Sequence, residues 1–188
     1  MSGRRRIAVG CAFGVLSAAC GSDTTDAPAT CKPSAFEPNE TYGAASYLGE
    51  VEDDPAPTSQ ASKERRADAS LDAAADVDWF RVTVYDTGIG GDPLVRVIVG
   101  EGTVATVWYQ CTSPGAPITN CQLGTKVSDP ARDGEACATA PGDGAAPQLT
   151  MTTDCAATES DDGDLLVRVA RAGSAADCVP YTIVVSVE

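Results

Sequence analysis

The chain has 188 residues, 27 acidic against 13 basic side chains, no histidine, and a formal charge of −14. Without an imidazole it builds neither a Ser-His-Asp nor a Cys-His nucleophilic centre, and no histidine completes a zinc site. The negative balance argues against a grip on nucleic acid or on anionic lipid headgroups, while supplying carboxylates to hard cations.

Arg4, Arg5 and Arg6 precede an apolar run from Ile7 to Leu16, followed by small residues at Ser17, Ala18 and Ala19. This order of charge, apolar run and small residues marks an export signal, and the run falls short of the roughly 20 apolar residues that span a bilayer. Leu16-Ser17-Ala18-Ala19-Cys20 resembles the lipobox of bacterial lipoproteins, although the aliphatic residue stands four rather than three positions before the cysteine. The resemblance implies cleavage before Cys20 and acylation of its thiol. That places the chain at the cell envelope, lipid-anchored, on the outer membrane of a Gram-negative cell. Ordinary cleavage near Ala19, giving a secreted protein, is the alternative. Cys11 lies within the discarded run. Residues 1–19 are thus read as signal, 20–35 as a small, polar, flexible tether, and 36–188 as one domain. The mature chain loses three arginines, so its charge is 10 − 27 = −17.

Within the domain, Glu37-Pro38-Asn39-Glu40-Thr41 precedes a modest apolar patch at Tyr47 and Leu48, and residues 50–70 read as a long surface connection. Period-two alternation then dominates. Phe80, Val82 and Val84 share one side of a strand, Val95, Val97 and Val99 another, and Thr103–Cys111 a third. Leu165, Val167 and Val169 alternate with Arg168, and Tyr181, Ile183, Val185 and Val187 close the chain. Half-buried strands carry this period because successive side chains face opposite ways. Gly88-Ile89-Gly90-Gly91-Asp92 reads as a hairpin turn. Segment 112–147 reads as a long Gly/Pro-rich loop with one short strand near Ile118–Leu123, and Gln148–Thr153 resumes strand character. The expectation is an all-β, antiparallel β-sandwich, jelly-roll-like, with a long disulfide-braced loop.

Cys31, Cys111, Cys121, Cys137, Cys155 and Cys178 remain after the signal and lipobox cysteines are set aside. An even count in an exported chain points to disulfides rather than metal ligation. Spacing favours Cys111–Cys121 across a short connection, Cys137–Cys155 around the loop, and Cys31–Cys178 tying the ends of the domain. Many connectivities stay open.

Glu37-Pro38-Asn39-Glu40-Thr41, followed by Asp76-Val77-Asp78-Trp79-Phe80-Arg81-Val82, resembles the bacterial pre-peptidase C-terminal domain. The likeness continues through Trp108-Tyr109, Gly163-Asp164-Leu165-Leu166-Val167-Arg168-Val169 and Pro180-Tyr181-Thr182-Ile183-Val184-Val185. It covers roughly residues 36–187. These small β-sandwiches accompany secreted peptidases and other exported proteins. In some relatives, notably collagenase collagen-binding domains, the matching acidic residues bind calcium. The resemblance therefore implies a stabilising calcium site of Glu37, Asn39, Glu40, Asp76 and Asp78. The plainer alternative is a turn at Asn39-Glu40 and two aspartates flanking a strand start. Asp161-Asp162-Gly163-Asp164 looks cation-like but lacks EF-hand spacing and reads as a turn.

The function expected is a non-catalytic surface binding or accessory module taking a protein or polysaccharide ligand, with Trp79, Trp108 and Tyr109 as candidate contact aromatics. The alternatives are a carboxylate-dependent hydrolase and a structural envelope spacer. Asn39-Glu40-Thr41 is formally a glycosylation sequon.

Overall fold

A computed structural model describes residue 31 and residues 34–54, 62–87, 92–112, 117–139, 146–155, 160–173 and 178–188. The signal segment and Cys20 lie outside the described residues, as does the tether apart from Cys31 and the two residues 34 and 35. Among the described residues, eleven strands form two sheets. The six-stranded sheet runs β1 (Ser46–Glu52), β3 (Val77–Tyr85), β10 (Gly163–Arg171), β5 (Thr103–Cys111), β8 (Ala136–Ala138), β7 (Thr125–Val127). The five-stranded sheet runs β2 (Glu64–Leu71), β11 (Val179–Val187), β4 (Leu94–Val99), β9 (Gln148–Cys155), β6 (Pro117–Leu123). Strands β1 and β3 are parallel, and the other paired strands are antiparallel. A 3₁₀ turn at Tyr42–Ala44 precedes β1. The chain is an all-β sandwich.

The alternating residues set the inner faces. Phe80, Val82 and Val84 of β3, with Leu165, Val167 and Val169 of β10, meet Val95, Val97 and Val99 of β4 and Ile183, Val185 and Val187 of β11, all fully buried. Each such aliphatic side chain contributes about 1.5–3 kcal/mol by leaving water. A smaller cluster of Trp79, Trp108, Leu166 and Ala136 lies apart from this core, packed by Ala45, Val77 and Val127. Arg168 Nη1 lies 3.1 Å from Asp129 Oδ2, tying β10 to the segment between β7 and β8.

Four readings of the sequence need correction. Residues 50–70 are not a surface connection throughout: β1 extends to Glu52 and β2 spans Glu64–Leu71. The inward residues of β2 include Ala67 and Ala69, whose short side chains give an alternation too faint to read. Segment 112–147 carries β7 and β8 besides the expected β6. Strands β3 and β4 belong to different sheets and so do not pair as the expected hairpin; residues 88–91 of the glycine-rich segment lie outside the described residues.

The fourth correction concerns the disulfides. Cys31–Cys178 forms as expected, but the other two pairs are Cys111–Cys155 and Cys121–Cys137, not Cys111–Cys121 and Cys137–Cys155. Strand register explains the exchange. Cys155 stands opposite Pro117, four residues before Cys121 on β6, which is about 13 Å along a strand. Across the sandwich, Cys137 pairs with Val107, four residues before Cys111. Each bridge therefore joins cysteines at the same level of the sandwich, and sequence proximity is irrelevant. Both link one sheet to the other.

Candidate metal centre

The two acidic motifs meet where the lead-in reaches β3. The Trp79 N–H donates to Asn39 O at 2.8 Å, and with the amide drawn nitrogen-inward Asn39 Nδ2 donates to Trp79 O at 3.4 Å. Asn39 thus lies along the first turn of β3 and is fully buried. Its N–H also donates to Glu37 Oε2 at 3.3 Å, which folds the Glu37 carboxylate back over the turn. Asp78, the second residue of β3, is fully buried, and the Tyr181 hydroxyl of β11 donates to its Oδ2. Asp76 accepts from the Asp72 N–H through Oδ2.

Carboxylate oxygens of Glu37, Asp76 and Asp78 come within 4.8 Å of one another. Calcium–oxygen bonds of about 2.3–2.6 Å set nearly that limit for atoms sharing one ion. The Asn39 amide extends the set. In the orientation that bonds Trp79 O, its oxygen lies 2.9 Å from Asp78 Oδ1 and 3.2 Å from Glu37 Oε2; reversed, its nitrogen donates to both. The reversed orientation satisfies both amide atoms without an ion; the first leaves the oxygen facing acceptors alone, a contact that a bound cation would relieve. All donors are oxygens, which suits calcium and not zinc. A cleft of about 500 Å³ lined by Glu37, Glu40, Asp72 and Asp76 opens beside the cluster and leaves room for water ligands. Glu40 stays exposed on that cleft and is not among the converging carboxylates.

Burial dominates the electrostatics. It lifts the Asp78 carboxyl to about 7, the Tyr181 bond opposes the rise, and Asp76 and Glu37 add to it. Glu37 is raised as well, first by burial. The Tyr181 hydroxyl is raised by burial and then by the Asp78 charge. Tyr181 is the site residue that sequence reasoning missed. Its position in an alternating strand marked it as core, and nothing in the local pattern reported the acid above it.

Other nominated residues fall elsewhere. Trp79, Trp108 and Tyr109 are all buried, so they are packing residues and not a contact surface. The two indoles stack at 5.1 Å in the small outer cluster, and Tyr109 turns into the main core, where its hydroxyl donates to Asp161 O. Among the described residues, the exposed aromatics are Tyr42, Tyr47 and Tyr85. Asp161 and Asp162 accept from the backbone N–H groups of Cys155 and Asp86 at 2.6 and 2.8 Å, and Gly163 and Asp164, read from sequence as part of a turn, are instead the first residues of β10. The sequon asparagine is buried and closed to a glycosyl donor.

No protein-family model matches the chain, and no curated protein matches it. Among solved structures, the chain is similar to the crystal structure of Aeromonas hydrophila PliG, a periplasmic lysozyme inhibitor of g-type lysozyme. That match has 13% identity, a TM-score of 0.34, and covers 76% of this chain and 100% of the other.

Proposed function

We propose that the chain is a non-catalytic, extracytoplasmic binding or accessory module of the pre-peptidase C-terminal type. In this reading Cys20 carries the lipid anchor, a calcium ion pins the lead-in to β3, and the surface takes a protein or polysaccharide ligand. The observation that carries the reading is the convergence of Glu37 with Asp76 and Asp78, from two segments far apart in sequence, where the Asp78 carboxylate is fully buried. Three disulfides fit an oxidising compartment. A carboxylate-dependent hydrolase would instead hold its two acids about 5 Å or more apart with the scissile bond between them. Here Asp78, whose carboxyl burial raises to about 7, is sealed from solvent and bonded to Tyr181.

Thermal melting tests the reading. At calcium a hundredfold above its Kd, binding adds about 2.7 kcal/mol, a rise of about 5–11 °C for a domain of this size over the chelated protein. Identical melting in calcium and chelator refutes the ion. For the anchor, Cys20→Ser should move the protein from the detergent phase to the aqueous phase; unchanged partitioning refutes lipidation.

A further inference from the structure

The outer face of the six-stranded sheet is divided. The part around Trp79 and Trp108 is packed over, whereas the part where β1, β3 and β10 meet is open. There register sets Glu50 beside Thr83, Thr83 beside Asp164, and Tyr47 beside Arg81. Tyr47 and Tyr85 are 47% and 37% exposed. Their hydroxyls donate to the same Glu50 Oε1, at 3.4 and 3.5 Å. These contacts are long, and they place both hydroxyls against one carboxylate on the open face. The Arg81 guanidinium lies 5.1 Å from the Tyr47 centroid, so this ring already holds a cation at cation–π range.

The open face runs into an acidic rim. Strands β1 and β3 lead into Asp54 and Asp86, and β10 begins just after Asp161 and Asp162, whereas Asp53 is buried and accepts from the Thr87 N–H. The Asp161 N–H donates to Asp86 Oδ2 at 3.0 Å, which holds the rim together. Burial, then the charges of Asp53 and Asp161, raise the Asp86 carboxyl. Arg81 is the one basic residue of β1 and β3, and Asp164 lies 4.0 Å from it.

We infer that this face docks a lysine- or arginine-rich polypeptide surface, with Tyr47 and Tyr85 as anchors and the carboxylates of Glu50, Asp164 and the rim as its charge complement. The inference rests on the binding-module reading and names its partner class. Charge selects the occupant: a neutral glycan feels no long-range attraction to the rim, and an anionic polymer is repelled by it. The field steers a basic partner in, and the aromatic pair holds it.

The test uses the full disulfide-bonded chain and a fluorescein-labelled deca-lysine peptide, read by anisotropy at near-physiological salt. Tyr47→Ala with Tyr85→Ala leaves the charge unchanged and should weaken binding by about tenfold or more. Glu101→Gln with Asp133→Asn removes charge from other surfaces and should change binding by less than about threefold. Equal weakening by both variants overturns the inference, because the attraction is then diffuse. So does the absence of saturable binding by the parent, or tyrosine-dependent binding of cellohexaose in its place. Melting each variant with calcium and with chelator separates the two readings. A tyrosine variant that binds like the parent yet keeps its calcium response refutes the docking face alone. A parent that binds peptide but ignores calcium refutes only the ion.

Discussion

Gly163→Ala probes the close approach that sets the start of β10. Gly163 lies between Val84 of β3 and Cys111 of β5 in the sheet. A Cβ there would stand 2.6 Å from the Gln110 carbonyl oxygen and 2.7 Å from Tyr109 Cζ, with Tyr109 Cε1 also in the way. Neither neighbour can yield freely. Gln110 O belongs to a paired strand, and the Tyr109 ring is buried, with its hydroxyl donating to Asp161 O. Overpacking of this kind costs about 1–3 kcal/mol, and backbone involvement puts the expectation at the upper end. For a domain of this length that is a fall in Tm of about 4–12 °C. Urea unfolding with disulfides intact should show a lower midpoint and an unchanged slope. Tyr109→Ala removes the ring and costs about 3–5 kcal/mol alone. The double variant should cost less than the sum, by about 1 kcal/mol, because the ring half of the clash is gone and the carbonyl half stays. A Gly163→Ala variant within about 0.5 kcal/mol of the parent, or strict additivity, refutes this reasoning.

Non-reducing peptide mapping should recover Cys111–Cys155 and Cys121–Cys137; a Cys111–Cys121 peptide refutes the register argument. Replacing Cys121 and Cys137 by alanine opens a loop with a sequence separation of 16, which should cost about 3 kcal/mol in urea unfolding. Tyr181→Phe leaves Asp78 without its hydroxyl donor and should cost about 1–3 kcal/mol in chelator; an unchanged melt shows the bond to be idle. In chelator, Asp78 also gives a pH dependence of known sign. Its carboxyl titrates at about 7 in the fold against 3.8 as the ordinary value, so between those limits the folded state holds a proton that the unfolded state has released. The contribution is full below about 3.8, falls as pH rises, and is lost above 7. Asp78→Asn should therefore be more stable than the parent at pH 8, with the gap closing toward pH 4. A gap independent of pH refutes the assignment.

The strands that sequence makes legible are those whose inner residues are bulky: Phe80, Val82 and Val84, or Ile183, Val185 and Val187. Where the inner residues are Ala67 and Ala69, burial is as real but the contrast with exposed neighbours is slight, and β2 is invisible beforehand. The short β7 and β8 are too brief for any period to register. The residues that meet at the candidate site were legible through motif order, because Glu37, Asn39, Asp76 and Asp78 sit in local patterns. Tyr181 was not, since its role depends on a contact 103 residues away. The disulfides were half legible for the same reason. Which cysteine meets which depends on strand level, a property of the assembled sandwich alone.

The Cys31–Cys178 bridge also fixes how the domain carries tension. Cys178 immediately precedes β11, which lies between β2 and β4 in the five-stranded sheet. A pull applied upstream of Cys31 therefore passes through a covalent link straight into β11. Residues 32–177 sit outside that path as a closed loop. Load then enters a strand held by two neighbours before it reaches β1 at the sheet edge. Reducing that single bond moves the point of loading to the lead-in and β1, turning a domain that resists force as a block into one that unzips from its edge.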